Sequence, residues 1–260
     1  MTMRSATASL QHLPTDNLRT RLALLLFILV ICLWGICGCA QNSAPVKSET
    51  TQSAETLPTA TPAPQLPAPV IELEPDEQRL ALADFLTFPE TSGDNAASGW
   101  SEDGPIIRGT GTPKGYLYTQ KTFENFRLRY DLRFPAALLS SASPLKENTG
   151  VLVYITGDQK VWPLSMEVQG KYVDLGTVKE NGGAAKATQT FDKELQQKVI
   201  RPAHEWNSLE VISQGGALTV LLNGEKITTS EPNFLSSGPI GLQAEGFPVE
   251  FANLRILVLP

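Results

Sequence analysis

The sequence predicts an all-β domain, two antiparallel sheets packed face to face as a β-sandwich, and three observations predict it. Stretches such as NFRLRYDLRF (residues 125–134) and LSMEVQG (164–170) alternate apolar with polar residues, the period of a strand that buries one face. Gly, Pro, Asn and Asp punctuate such stretches at short intervals, leaving weak helical patterns only at 77–85 and 192–199. Asn223-Gly224 stands between TVLL and EKIT, and both residues tolerate the positive φ of a two-residue hairpin turn.

In chain order, the first segment is a leader. Arg19 and Arg21 precede the apolar run LALLLFILVICLW, which is shorter than the ~20 residues of a spanning helix and is followed by GICGCA. Ile36-Cys37-Gly38-Cys39 resembles the lipobox of bacterial lipoproteins, which implies cleavage before Cys39 and lipidation of that residue. The alternative is an uncleaved anchor made by the same run. Either way the protein is expected to be exported and held at a membrane of the bacterial cell envelope, on its periplasmic or outer surface. Residues 1–39 are therefore read as a lipoprotein-type signal peptide.

Residues 40–79 follow as a linker, whose part from Ala40 to Pro69 is rich in Ser, Thr, Pro, Ala and Gln and ends in TLPTATPAPQLPAP with almost nothing large to bury. Proline favours extended polyproline geometry, so this stretch reads as a disordered tether. Of the 260 residues, about 180 remain for one domain, residues 80–260, enough for a sizeable core. All three cysteines lie in the leader, so the domain carries no thiol, disulfide or cysteine metal ligand. Without Arg4, Arg19, Arg21 and Asp16 the formal charge moves from −6 to about −8, a poor balance for binding nucleic acid.

Within the domain, NFRLRYDLRF puts Phe126, Leu128, Tyr130, Leu132 and Phe134 on one face and Arg127, Arg129, Asp131 and Arg133 on the other. Further strands are GVLVYIT from Gly150, WNSLEVIS from Trp206, ALTVLLN from Ala217, GPIGLQAEG from Gly238 and VEFANLRILVL from Val249. In LSMEVQG, Leu164, Met166 and Val168 face the core. Glu167 and Gln169 then share the opposite face, about 7 Å apart along the strand. Glu167 either lines a binding cleft or pairs with a surface arginine such as Arg129 or Arg133.

Taken in order, these pieces resemble the 3-keto-disaccharide hydrolase domain, a concanavalin-like jelly roll of exported bacterial proteins. The resemblance covers roughly residues 99–259. It rests on Gly99-Trp100, Tyr118-Thr119 before FENFRLRYDLRF, Asn148-Thr149-Gly150-Val151, Glu167-Val168-Gln169-Gly170, Asp174-Leu175-Gly176 and Glu205-Trp206-Asn207. It continues through Leu222-Asn223-Gly224, Gly238-Pro239-Ile240-Gly241-Leu242-Gln243 and VEFANLRI from Val249. Two positions depart from the family's common pattern: Thr149 replaces Ser, and Glu245 replaces His.

The resemblance implies a substrate whose sugar ring carries a ketone at carbon 3, which makes the hydrogen on carbon 2 acidic. A base could remove that proton and the glycosidic oxygen could leave before water adds back; displacement by two carboxylates is the competing route. Glu167 is expected to be the base. Glu245 is expected to be a second acid, or an oxygen ligand for a divalent cation; no cofactor is otherwise implied. Asn148 and Gln169 are expected to bind sugar hydroxyls, with Gln243 beside them. Trp162 would stack on a ring from a Pro-bounded loop, better placed for this than Tyr154. Arg108, Arg129 and Arg133 could polarise the ketone or hold an enolate, Arg129 being the one taken as substrate-binding, in competition with a solvated cross-strand ladder facing Asp131 and neighbouring glutamates.

Trp100 and Trp206 are expected in packing, and the domain's one histidine, His204, on a surface loop. No phosphate loop, cysteine pair or Gly-x-Ser-x-Gly turn is present. The alternatives to catalysis are a carbohydrate-binding module that merely holds a glycan and an interaction module on the cell surface.

Overall fold

The computed structural model describes residues 67–90, 99–135 and 146–260. The signal segment, Cys39 and most of the linker lie outside the described residues. In chain order the strands are β1 (Gln78–Arg79), β2 (Phe85–Pro89), β3 (Trp100–Asp103), β4 (Ile106–Gly109), β5 (Gly115–Thr119), β6 (Phe126–Arg133), β7 (Gly150–Thr156), β8 (Leu164–Gln169), β9 (Val178–Asn181) and β10 (Gln189–Phe191). A short helix, α1 (Lys193–Val199), precedes β11 (Asn207–Gln214), β12 (Ala217–Leu222), β13 (Glu225–Ser230), β14 (Gly241–Ala244) and β15 (Val249–Val258).

The strands form two antiparallel sheets. One runs β10-β13-β12-β11-β6-β15-β4-β3 with β1 added alongside β15, and the other runs β2-β5-β14-β7-β8-β9. The main core lies between them, as the alternation predicts. Phe126, Leu128, Tyr130 and Leu132 of β6 share it with Val151 and Val153 of β7 and Met166 and Val168 of β8. Each such side chain contributes about 1.5–3 kcal/mol when fully buried, so the register of β8 is strongly held.

Local signals resolve as their chemistry requires. Asn223 and Gly224 take φ of 50° and 93° in the two-residue turn that pairs Leu222 with Glu225. Asp192 caps α1 by accepting from Leu195 N at 2.9 Å, while the weak pattern at 77–85 yields only a 3-10 turn at Leu82–Asp84.

The packed region begins earlier than residue 80, where the linker expectation ends it. Trp206 Nε1 donates to Pro67 O at 3.0 Å and Asn253 Nδ2 to Pro69 O at 2.8 Å. Glu77, buried, accepts from Arg129 Nε at 2.8 Å, and Glu74 from Arg129 Nη1 at 2.6 Å. This strap lies on the outer face of the larger sheet. That face is not the solvated ladder expected from the polar positions of β6: Asp131 and Arg133 are both buried. Arg133 Nε donates to Glu250 at 2.6 Å, and its guanidinium sits 4.1 Å over the Trp206 ring.

Candidate functional site

The smaller sheet presents the site on the face turned away from the main core. Antiparallel register sets Tyr118, Gly241, Leu152, Glu167 and Lys179 in one row across β5, β14, β7, β8 and β9. In the next row Tyr116 lies opposite Gln243, and Gly150 opposite Gln169. Met166 and Val168 point into the core, so Glu167 emerges on this outer face, yet it is only 8% exposed. Neither Arg129 nor Arg133 reaches it.

Glu167 and Gln243 converge above Gly150. A Cβ at Gly150 would fall 2.3 Å from Gln243 Oε1 and 2.4 Å from Glu167 Oε1, so the bare glycine is what lets both side chains lie there. Both obstructing atoms are ends of flexible side chains, which can move aside cheaply. Gly150→Ala is therefore expected to leave the unfolding midpoint within a few degrees while lowering activity by about 100-fold through misplacement of Glu167. Thermal unfolding and turnover measured on one preparation check this.

The electrostatics follow from burial. Desolvation, then the nearby charge of Glu245, push the Glu167 carboxyl from 4.5 up to about 7. The Lys179 ammonium opposes that rise, and so does the Gln243 amide, which lies against the carboxylate without completing a well-formed hydrogen bond. Burial also raises Glu245, against the pull of Lys114 and Lys179. Two carboxylates with raised proton affinity thus share one side of the sheet, the condition under which one is protonated while the other acts as a base.

Unsatisfied polar atoms gather on the same face. Gln243 Nε2 and Oε1, Glu245 Oε2, Asn181 Nδ2 and Tyr116 OH are buried and lack hydrogen-bond partners, as do Glu147 Oε2 and Asn148 Oδ1 in the loop before β7. Buried polar groups are normally paired, and Gln243 itself is 1% exposed. Thr149 uses its hydroxyl to donate to Gln243 O at 2.8 Å, fixing the loop before β7 beside β14. The arrangement suits a ligand with several hydroxyls.

The structure therefore brings Glu167, Glu245, Gln243, Gln169 and Asn148 to one region. Gln169 Oε1 is committed to Lys171 N at 2.7 Å, so its oxygen serves the turn after β8. Trp162 sits in the β7–β8 loop, 42% exposed, beyond the Leu164 end of β8. Tyr154 is in the core: a register shift after Val153 puts it at φ 61° and turns it inward, its hydroxyl 2.6 Å from Ser213 Oγ. Arg129 is the correction. It belongs to the other sheet, held by Glu74 and Glu77, because the strap supplies the carboxylates that its row needs. His204 is exposed, as expected.

Among the described residues, no group of three or more His, Cys, Asp or Glu is placed to hold a metal ion. Sequence reasoning missed Gly150 as a packing requirement, and it missed Lys179, Tyr116 and Asn181. Their positions depend on which strands become neighbours, and the alternation within each strand is silent on that.

Comparison with known proteins adds the family. A family model described as a 3-keto-alpha-glucoside-1,2-lyase-like domain matches residues 87–257. Among solved structures, a candidate glycosyl hydrolase from Parabacteroides distasonis ATCC 8503 is 22% identical, covering 67% of this chain and 100% of that one with a TM-score of 0.47. A second from the same organism is 18% identical, covering 68% and 89% with a TM-score of 0.49. A carbohydrate binding module from Bacillus subtilis is 12% identical, covering 66% and 94% with a TM-score of 0.43. No curated protein matches the sequence.

Proposed function

The chain belongs to the family of 3-keto-α-glucoside-1,2-lyase-like domains, and from that premise we propose that it cleaves glycosides whose sugar ring is a ketone at carbon 3. Membership ties the chain to carbohydrate chemistry. The observation that carries the finer reading is Glu167, a buried carboxyl held near pKa 7 beside Glu245, among polar atoms without partners.

The reaction runs by elimination and then hydration. Ionised Glu167 takes the proton from carbon 2, and the C–H electron pair becomes a carbon 2–carbon 3 double bond as the ketone oxygen becomes an enolate. The enolate collapses back to the ketone, a carbon 1–carbon 2 double bond forms, and the bond from carbon 1 to the glycosidic oxygen breaks. Glu245, sharing with Glu167 the proton taken from carbon 2, gives that oxygen its proton. Water then adds to carbon 1 and carbon 2 regains a proton, so the net change is hydrolysis. Gln243 and Asn148 hold hydroxyls of the substrate. Export and a lipid at Cys39 belong to the same proposal.

The test is incubation of the purified protein with a 3-keto glucoside and with the same glucoside unoxidised at carbon 3. Release of the aglycone from the first alone is the expected result. Binding of the keto sugar with no release, with or without added divalent cation, would instead identify a carbohydrate-binding module.

A further inference from the structure

Elimination from a 3-keto sugar needs a third group, one that holds the ketone oxygen while it bears the enolate charge. Glu167 and Glu245 cannot supply it, since Glu167 must be ionised to act as the base and then only accepts hydrogen bonds, while Glu245 is committed to the leaving oxygen. The arginines expected for this task face away: Arg108, Arg129 and Arg133 lie on the larger sheet, bound to Glu250, Glu77 and Glu250 respectively. Resting on the reading above, we infer that Lys179 is a catalytic residue that donates a hydrogen bond to the ketone oxygen as it becomes an enolate.

Three observations carry this. Lys179 is the direct cross-strand partner of Glu167 on β9, and such partners have Cβ atoms about 4.5–5.5 Å apart on one face. Carbons 2 and 3 of the sugar are bonded neighbours, so the group on the ketone must stand beside the base, as Lys179 does. Its Nζ has a single weak ion pair among the described residues, to Asp174 at 3.4 Å, with both side chains about two-fifths exposed. Exposed pairs of this kind contribute little, so the ammonium is readily given up to a substrate. The charges around it include Glu167 on β8, Glu245 after β14 and Asp174 before β9, with Lys114, before β5, acting on Glu245.

During the step Lys179 keeps its proton. The electron pair from the C–H bond passes to carbons 2 and 3, the ketone pair moves onto oxygen, and the ammonium stabilises that oxygen until the pair returns. Asn181 Nδ2, unpartnered on the same strand, can assist but carries no charge.

The test compares Lys179→Met, Lys179→Arg and Asp174→Asn in the full chain, using a 3-keto glucoside. Lys179→Met is expected to lower kcat by about 100-fold or more with KM within about threefold, as loss of an oxyanion donor does. It is also expected to move the acid limb of kcat/KM to higher pH, because the ammonium helps keep Glu167 ionised. Lys179→Arg should recover part of kcat, and Asp174→Asn should leave both parameters within about threefold. A Lys179→Met protein with kcat within about threefold of the parent and an unmoved acid limb would overturn the role. Failure of the unsubstituted chain to cleave the substrate would overturn the parent reading and this role together.

Discussion

Glu167→Gln is expected to lower turnover of a 3-keto glycoside by about 10³–10⁴-fold, the range associated with removing a general base, while making the folded protein more stable at pH 8. Both effects come from one cause. The glutamine keeps the shape of the side chain and can still sit above Gly150, but it cannot take a proton from carbon 2. It also carries no charge that burial must strip of water.

The sign of the stability effect follows from linkage. The folded-state carboxyl is raised from 4.5 to about 7, so between those values the folded protein binds the proton more tightly than the unfolded chain does. Stability contributed by that proton is complete below pH 4.5 and is lost as pH rises through 7. At about 1.4 kcal/mol per pK unit the ionised group costs on the order of 3 kcal/mol at pH 8. Glu167→Gln should therefore unfold at the higher temperature above pH 7 and converge with the parent near pH 4.5. Calorimetry at the two pH values checks this. In the parent enzyme kcat/KM should rise with pH through an apparent pKa near 7, a value that belongs to the coupled Glu167–Glu245 pair.

The largest loss of stability is expected on the other sheet. Glu250 is 2% exposed and accepts from Arg108 Nε at 2.8 Å and Arg133 Nε at 2.6 Å. Glu250→Ala removes a carboxylate paired with Arg133, which is itself buried, and breaking such a pair costs about 3–5 kcal/mol. For a domain of this size that is a fall of roughly 10 °C in Tm. The comparison is Asp103→Ala, which removes the exposed partner of Arg108 at 2.9 Å and should cost less than about 1 kcal/mol. Below the unfolding transition both variants should retain catalytic activity, since neither residue belongs to the face that carries Glu167. Denaturant unfolding with parallel activity measurements separates the two outcomes.

The strands were legible because their cause is local. Alternation in β6, β8 and β11 is set by which residues must leave water, and Asn223-Gly224 needs no distant partner to favour its turn. Glu167 and Gln243 were legible as residues off the core face for the same reason. What escaped the sequence depends on neighbours brought together by the fold. Arg129 was misplaced because its partners, Glu74 and Glu77, belong to a segment that reads as tether by composition yet lies on the outer face of the larger sheet. Tyr154, weighed beside Trp162 for ring stacking, lies in the core because a bulge after Val153 shifts the alternation by one residue. The demand for a glycine at 150 arises only when β14 and β8 flank β7.

The central claim is that Glu167 removes the proton from carbon 2 of a 3-keto sugar. It is tested most directly by running the reaction in heavy water and reading deuterium at that carbon by NMR. The account predicts deuterium at carbon 2 of the released sugar, arriving faster than in the absence of protein and no faster than that background with Glu167→Gln. Efficient cleavage by the parent protein with the original hydrogen retained at carbon 2 would contradict it and indicate displacement at carbon 1 instead.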